Sequence, residues 1–431
     1  MNPRVQPNLP RHAEPTIRIT GNGADWRWPV YQRLIHRRTD PERATAPALP
    51  VAPPLLPALG SAGFIEWRYW SVLSEVFHGI VGLSLVNPEQ RFAGIAEGGL
   101  LLIVAGVFDR PANAGHGSQP LFEPPPAELC WMHLFPIAAC SFDQPRPGWL
   151  RAGDAHADIE LDQHNASEAE VRINAACGLR LKLSHRGCPE TAVGPVLGTD
   201  MDRGLARLAG SHWLVHCPSP VASSDGEIRI DPGALTALTE GPGGTAESYA
   251  TPALRARVAA GERMFGWQQA SGYCEHSFGI RPLPLHGWDF FFVPDAEQRQ
   301  SVVMQTYRGS RELRYVEVCW QQDGEARYQR FNAESLCLSW AETTDDPVLR
   351  AKRPLRRLIR AETGGLRLQV DNRVLHRIPL LRPHRLAVRH FFISEEIGVA
   401  DWTLRDGRGR VLAKALNQPC GGELAHFRLR T

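Results

Sequence analysis

Within Gly272–Gly279 the chain reads Gly-Tyr-Cys-Glu-His-Ser-Phe-Gly, which places a phenol, a carboxyl and an imidazole in one short stretch bracketed by glycines. On a strand, side chains alternate in direction. Tyr273, Glu275 and Ser277 then share one face, and Cys274, His276 and Phe278 share the other. That spacing disfavours a Glu275–His276 dyad and favours a carboxyl beside a phenol on one wall of a cavity. Burial of a carboxyl penalises its charged form and raises its pKa, so it holds a proton toward neutral pH. Such an acid can protonate a carbon–carbon double bond or an epoxide, and aromatic faces stabilise the resulting cation. Capture by water is hydration; capture by an internal alkene or hydroxyl is cyclisation. The plainer alternative is a Glu275 that pairs with one of the many arginines and only fixes a sheet.

Two further aromatic stretches could line such a cavity. In Phe64–Trp70 (FIEWRYW) alternation sets Ile65, Trp67 and Tyr69 against Phe64, Glu66, Arg68 and Trp70. In Gly287–Val293 (GWDFFFV) it makes a stripe of Trp288, Phe290 and Phe292. Read plainly, both are core strands, the first with a Glu66–Arg68 ion pair. His212 and His216 stand four apart, a metal-like spacing on a helix, but they precede Pro218 in a stretch that reads as a strand, so no metal is expected. The nine cysteines include no C-x-x-C pair, which predicts neither a zinc site nor a disulfide framework. No Gly-rich phosphate loop, Ser-His-Asp order or dinucleotide fingerprint is present, and no cofactor is expected.

The elements that must position these residues read as strands. Ala169–Ala175, Gly178–Ser184, Leu313–Trp320, Ser335–Trp340 and Arg385–Ile393 alternate with period two. Asp225-Gly226, Asp323-Gly324 and Asp406-Gly407 lie between apolar runs as hairpin turns. Pro189–Leu208 and Pro252–Arg263 are the moderate helical candidates. The pattern predicts an all-β fold of closed or sandwiched antiparallel sheets. With 431 residues, two domains and a tail are expected. Residues 1–57, rich in Pro and Arg, form an extended N-terminal arm, followed by domains at 58–282 and 283–431. The run Gly98–Phe108 is too short to span a bilayer and reads as a buried strand or two. Without a secretory signal, the expected location is the cytoplasm. A net charge of +2 gives no reason to expect nucleic acid. Arg350–Arg360 (RAKRPLRRLIR) is basic enough to touch an anionic membrane face, although Pro354 favours a solvated loop or short helix.

Glu66-Trp67-Arg68-Tyr69, Trp213–Ile230, Gly272–Gly279 and Trp288–Phe292 follow one another as do motifs of the hydroxyneurosporene synthase family. The chain resembles this group, which contains carotenoid 1,2-hydratases and AttH-like proteins, with tocopherol cyclases and lipocalin-like Diels–Alderases as distant relatives. Glu275, Ser277 and Phe278 replace the family's Asp, Asn and Trp, and Arg68 replaces a Trp. The resemblance implies two lipocalin-like (calycin) barrels in tandem, with a hydrophobic ligand cavity near their junction. It implies that Tyr273 and Glu275 are catalytic, that His276 supports them and that Trp67 lines the cavity. The expected function is cofactor-independent hydration of a carotenoid, prenylquinone or other polyene. Cyclisation on the same fold and a non-catalytic carrier or assembly factor are the alternatives.

Overall fold

A computed structural model of the chain describes residues 64–86, 99–109, 126–188 (without 143, 147 and 166), 193–197, 213–240, 248–280, 287–307, 314–346, 351–381 and 389–429. These form two curled antiparallel sheets, the first drawn from residues 64–280 and the second from 287–429. The proposed arm and the 282/283 boundary lie outside the described residues.

The first sheet opens with the meander β1 (Phe64–Leu73), β2 (Phe77–Val86), β3 (Gly99–Phe108) and β4 (Ala127–Pro136). A second meander comprises β5 (Cys140–Phe142), β6 (Trp149–Gly153), β7 (Ala157–Gln163), β8 (Glu168–Ala175) and β9 (Leu179–Gly187). A short β10 (Val193–Leu197) pairs with the long β11 (Trp213–Ile230). Helices α1 (Pro232–Thr236) and α2 (Pro252–Ala259) flank β12 (Tyr249–Ala250) and lead to β13 (Met264–Ile280). The spatial order β12-β4-β3-β2-β1-β13-β11-β9-β8-β7-β6-β5 puts β1, β13 and β11 at the centre.

The second sheet contains β14 (Gly287–Asp295), β15 (Gln300–Tyr307), β16 (Arg314–Gln322), β17 (Glu325–Asn332) and β18 (Leu336–Asp346). It is completed by β19 (Ala351–Thr363), β20 (Leu366–Leu381), β21 (Arg389–Arg405) and β22 (Val411–Leu429). Its order is β17-β16-β15-β14-β22-β21-β20-β19-β18. All strand pairs in both sheets are antiparallel, so the all-β expectation stands.

Period-two sequence produces these strands directly. In β8 and β9 inward Val171, Ile173, Leu181 and Leu183 are buried while Arg172, Asn174, Arg180 and Lys182 are exposed. Asp323 and Gly324, with φ of 54° and 80°, make the two-residue turn between β16 and β17. Positive φ at both positions matches the twist of the flanking strands.

Three local expectations need correction. Asp225-Gly226 is not a turn: both residues lie inside β11, where its register with β13 shifts between Ser224 and Gly226. Asp225 instead accepts the Gln269 N–H at 2.8 Å across that irregularity. Val193–Leu197, placed in a helical candidate, is strand β10, and the rest of that candidate lies outside the described residues. Arg350–Arg360 is neither loop nor helix, because residues 351–360 belong to β19. Alternation there points Arg357 and Ile359 inward, and Pro354 is accommodated beside a register shift in β18. Within the run Gly98–Phe108, residues 99–108 form one strand, β3, as the buried-strand reading allowed. Of the second helical candidate, Pro252–Ala259 is helical, with Pro at its first turn.

Two-faced strands generate three cores. The inner face of the first sheet holds Trp70, Val72, Leu102, Ile173, Leu181 and Ile228. The inner face of the second holds Phe291, Val293, Val318, Val370 and Trp402. The third core lies between the sheets, where Tyr69, Leu73, Ile80 and Tyr273 meet Trp288, Phe290, Phe292, Ile378 and Leu380. Burying each large side chain contributes about 1.5–3 kcal/mol, so this third core holds the sheets together. Polar links reinforce it: His78 Nε2 bonds the Cys420 carbonyl at 3.1 Å, and His376 pairs with Glu128. Among the described residues no helix is long and apolar enough to cross a membrane, and no disulfide forms.

Candidate functional site

Tyr273, Glu275 and Ser277 all point from β13 into the core between the sheets, as alternation requires. Glu275 is 3% exposed. Its Oε1 accepts the Trp67 indole N–H at 3.0 Å and the Ser277 hydroxyl at 2.6 Å. Its Oε2 accepts the Tyr273 hydroxyl at 3.1 Å. Two donors thus occupy one oxygen and a single donor the other, which leaves Oε2 as the oxygen with room for a proton. Among the described residues no basic side chain pairs with Glu275. Burial pushes its carboxyl above the ordinary glutamate range, against the opposing pull of Ser277, Trp67 and Tyr273.

The backbone fixes this group in place. Ser71 Oγ, on β1, accepts the Tyr273 N–H at 2.8 Å where the ladder between β1 and β13 is interrupted. Gly272 admits a close approach: a Cβ there would sit 2.8 Å from Ser224 Oγ and 2.9 Å from the Ser71 carbonyl oxygen. Gly272→Ala is therefore expected to cost about 1–3 kcal/mol of stability through overpacking, measurable by urea denaturation.

The aromatic residues from three separate stretches converge on the same carboxyl. Tyr273 stacks on Phe292 with ring centroids 4.4 Å apart and planes at 12°. Phe290 lies 5.7 Å and Tyr69 5.9 Å from the Tyr273 ring. Trp67 and Trp288 meet across the two sheets at 5.8 Å. Trp67, Tyr69, Trp288, Phe290 and Phe292 are thus all gathered beside Tyr273 and Glu275. His276 is not: it faces the inside of the first sheet and pairs with Glu66 at 2.8 Å, both buried. Arg68 lies on that same inner face, its guanidinium 5.3 Å from the Trp70 ring centroid.

A second acidic group, Glu395 and Glu423, faces the same core from the second sheet. The two are Cα partners on β21 and β22, and Glu423 accepts the Trp288 indole N–H. Trp67 and Trp288 therefore each donate to a carboxyl while their rings touch. Burial and the neighbouring charges of Glu423, Glu396 and Glu275 hold the Glu395 carboxyl well above its usual range. Only the adjacent Glu395-Glu396 inside an apolar stretch, which must direct one carboxyl to each face, signals this in the sequence. Glu128 completes the polar rim, accepting from Tyr249 and pairing with His376 of the other sheet.

Raised carboxyl pKa values have a signed consequence for stability. The folded Glu275 pKa exceeds its unfolded value, so its stabilising contribution is whole below the ordinary glutamate range. It is lost as pH rises through the raised value. Glu275→Gln does not titrate there, so the variant should gain stability relative to wild type as pH rises above the ordinary glutamate range, as thermal melts would register.

Other features of the site are simpler. A groove of 660 Å³ on the first sheet is lined by Glu170, Arg172, Lys182, Arg186 and Asp225 among others, and by none of the candidate residues. Among the described residues no cluster of three His, Cys, Asp or Glu side chains is placed to hold a metal ion. The side chains of His212 and His216 are outside the described set.

No protein-family model and no curated protein sequence matches the chain. Solved structures do. CghA in complex with Sch210972 superposes with a TM-score of 0.51 at 12% identity, covering 84% of this chain and 88% of CghA. An AttH-type protein of Nitrosomonas europaea gives 0.42 at 14% identity, over 89% of this chain and 100% of that one. Kievitone hydratase from Nectria haematococca gives 0.45 at 11% identity, over 90% and 93%. The two curled sheets in tandem are thus a lipocalin-like fold, similar in architecture to CghA.

Proposed function

We propose that the chain is an acid-initiated hydratase of a lipophilic polyene or isoprenoid held between the two sheets. The observation that carries this reading is Glu275: a buried carboxyl with three neutral donors, no basic partner among the described residues, and aromatic rings around it. A structural glutamate in a sheet rich in arginine would take an ionic partner; a proton donor must not, because a cation beside it would stabilise the carboxylate.

In this mechanism Glu275 Oε2 gives its proton to one alkene carbon, and the π electrons form the new C–H bond. The other carbon becomes a cation facing Tyr273, Phe292 and the paired indoles of Trp67 and Trp288, which stabilise it through their ring faces. Tyr273, Trp67 and Ser277 then hold the Glu275 carboxylate with three hydrogen bonds. Water attacks the cation, and the proton it releases passes to an ionised carboxylate of the Glu395–Glu423 pair, which faces Glu275 from the second sheet; return of that proton to Glu275 restores the acid. The net change is addition of one water to the double bond. A carotenoid, a prenylquinone or another polyene would suit the apolar lining, and the carotenoid class is suggested by the resemblance noted above alone.

Incubating the protein with lycopene, neurosporene and a prenylquinone, and following the products by mass, tests this reading. The expected result is a product heavier by one water, carrying the label when the reaction is run in ¹⁸O-water. An isomer of unchanged mass would assign cyclisation by the same acid. Ligand retained without turnover would assign a carrier and refute both enzymatic readings.

A further inference from the structure

Inside the curl of the second sheet, away from the Glu275 face, a charged layer lies next to the apolar core of Phe291, Ile359, Val370 and Trp402. Asp289, Arg357, Asn372, Glu396 and Arg377 build it. Arg357 is fully buried and uses its whole guanidinium: Nε and Nη2 go to Asp289, Nη2 also to Glu396, and Nη1 to Asn372 Oδ1 at 2.9 Å. The Trp340 indole N–H takes Asp289 Oδ2 at 3.0 Å. Arg377 donates through Nε to Glu396 Oε1 at 2.7 Å and through Nη2 to the Pro354 carbonyl.

Donor and acceptor numbers in this layer do not balance. Both oxygens of Asp289, both of Glu396 and the Asn372 carbonyl already accept. Arg377 Nη1 and Ser394 Oγ remain, each buried and without a hydrogen-bond partner. The Arg377 side chain is 6% exposed and Ser394 is 1% exposed. They are diagonal neighbours on one face of β20 and β21, since Arg377 pairs with Glu396 and Pro379 with Ser394. Diagonal positions lie about 7–8 Å apart, a span that a long side chain and one small bridging group can close. Burial, together with the charges of Arg357 and Arg353, holds the Arg377 guanidinium below its ordinary range despite Glu396. A group that supplies acceptors and negative charge would relieve both deficits.

We propose that Arg377 Nη1 and Ser394 Oγ form the seat of a small oxyanion, free or as the head group of a lipophilic molecule, inside the second sheet. This site is separate from Glu275 and does not depend on the hydratase reading. Thermal melts of the full chain at constant ionic strength would compare chloride with inorganic phosphate, acetate and lysophosphatidate. Stabilisation by phosphate or acetate over chloride is expected, with binding about tenfold weaker in Ser394→Ala and lost in Arg377→Met. Stabilisation by lysophosphatidate alone would assign the head group as the source. Because Arg377→Met also exposes Glu396 to a lost partner, Ser394→Ala with phosphorus NMR of the phosphate arm provides the check in a conservatively altered fold. No stabilisation by any of the three anions, or equal stabilisation of wild type and Ser394→Ala, would overturn the proposal.

Discussion

Glu275→Gln is expected to lower the hydration rate by about 10²–10⁴-fold, the usual contribution of a positioned general acid. Gln preserves the shape, and its carbonyl oxygen still accepts from Trp67 and Ser277, so the intersheet core should remain intact. What disappears is the transferable proton on Oε2. The loss should fall on kcat rather than KM, because the apolar walls that hold the ligand are untouched. A variant that retains wild-type turnover would remove Glu275 from the mechanism. Glu423→Gln supplies the companion measurement. It relieves Glu395 of a neighbouring carboxylate, so Glu395 should ionise at lower pH, and the acidic limb of the pH–rate profile should move downward.

The largest stability effect is expected at Arg357. Arg357→Met leaves Asp289 and Glu396 buried beside a single remaining guanidinium, and breaking such a network costs about 3–5 kcal/mol. Urea denaturation would read it as a lower midpoint at unchanged slope. Combining Arg357→Met with Asp289→Asn and Glu396→Gln should recover part of the loss, since the uncompensated charges are then gone. A triple variant as unstable as the single one would show that Arg357 acts through packing of its stem and not through charge. Because these residues lie on the inner face of the second sheet, the Glu275 hydrogen bonds should survive wherever the variant folds.

The contrast between these two regions explains which features were readable along the chain. Alternation in Gly272–Gly279 was sufficient to place Tyr273, Glu275 and Ser277 on one face and His276 on the other, since that depends only on the two-residue period of a strand. The same rule located Trp67 and Tyr69 together, and Trp288, Phe290 and Phe292 together. Asp323-Gly324 could be recognised as a turn because both φ values are local. Arg350–Arg360 misled because six basic residues suggest solvent, whereas β18 and β20 on either side impose a strand and turn Arg357 inward. Asp225-Gly226 misled for a related reason: β11 continues through it, paired on both edges, and absorbs the irregularity as a register shift.

What local pattern could not supply is which buried faces meet. Residues 67, 273, 288 and 423 are far apart in sequence, and no periodicity within one strand states which strand of another sheet will cover it. The packing of the two curled sheets decides that the Tyr273–Glu275 face is closed by Phe290, Phe292 and Trp288. The same packing sets Glu395 and Glu423 opposite, and keeps Glu275 without an ionic partner among the described residues. Gly272–Gly279 thus carried its directions and its chemistry in its own residues. The environment that raises the Glu275 pKa is long-range, because desolvation of a carboxyl depends on everything that excludes water from it.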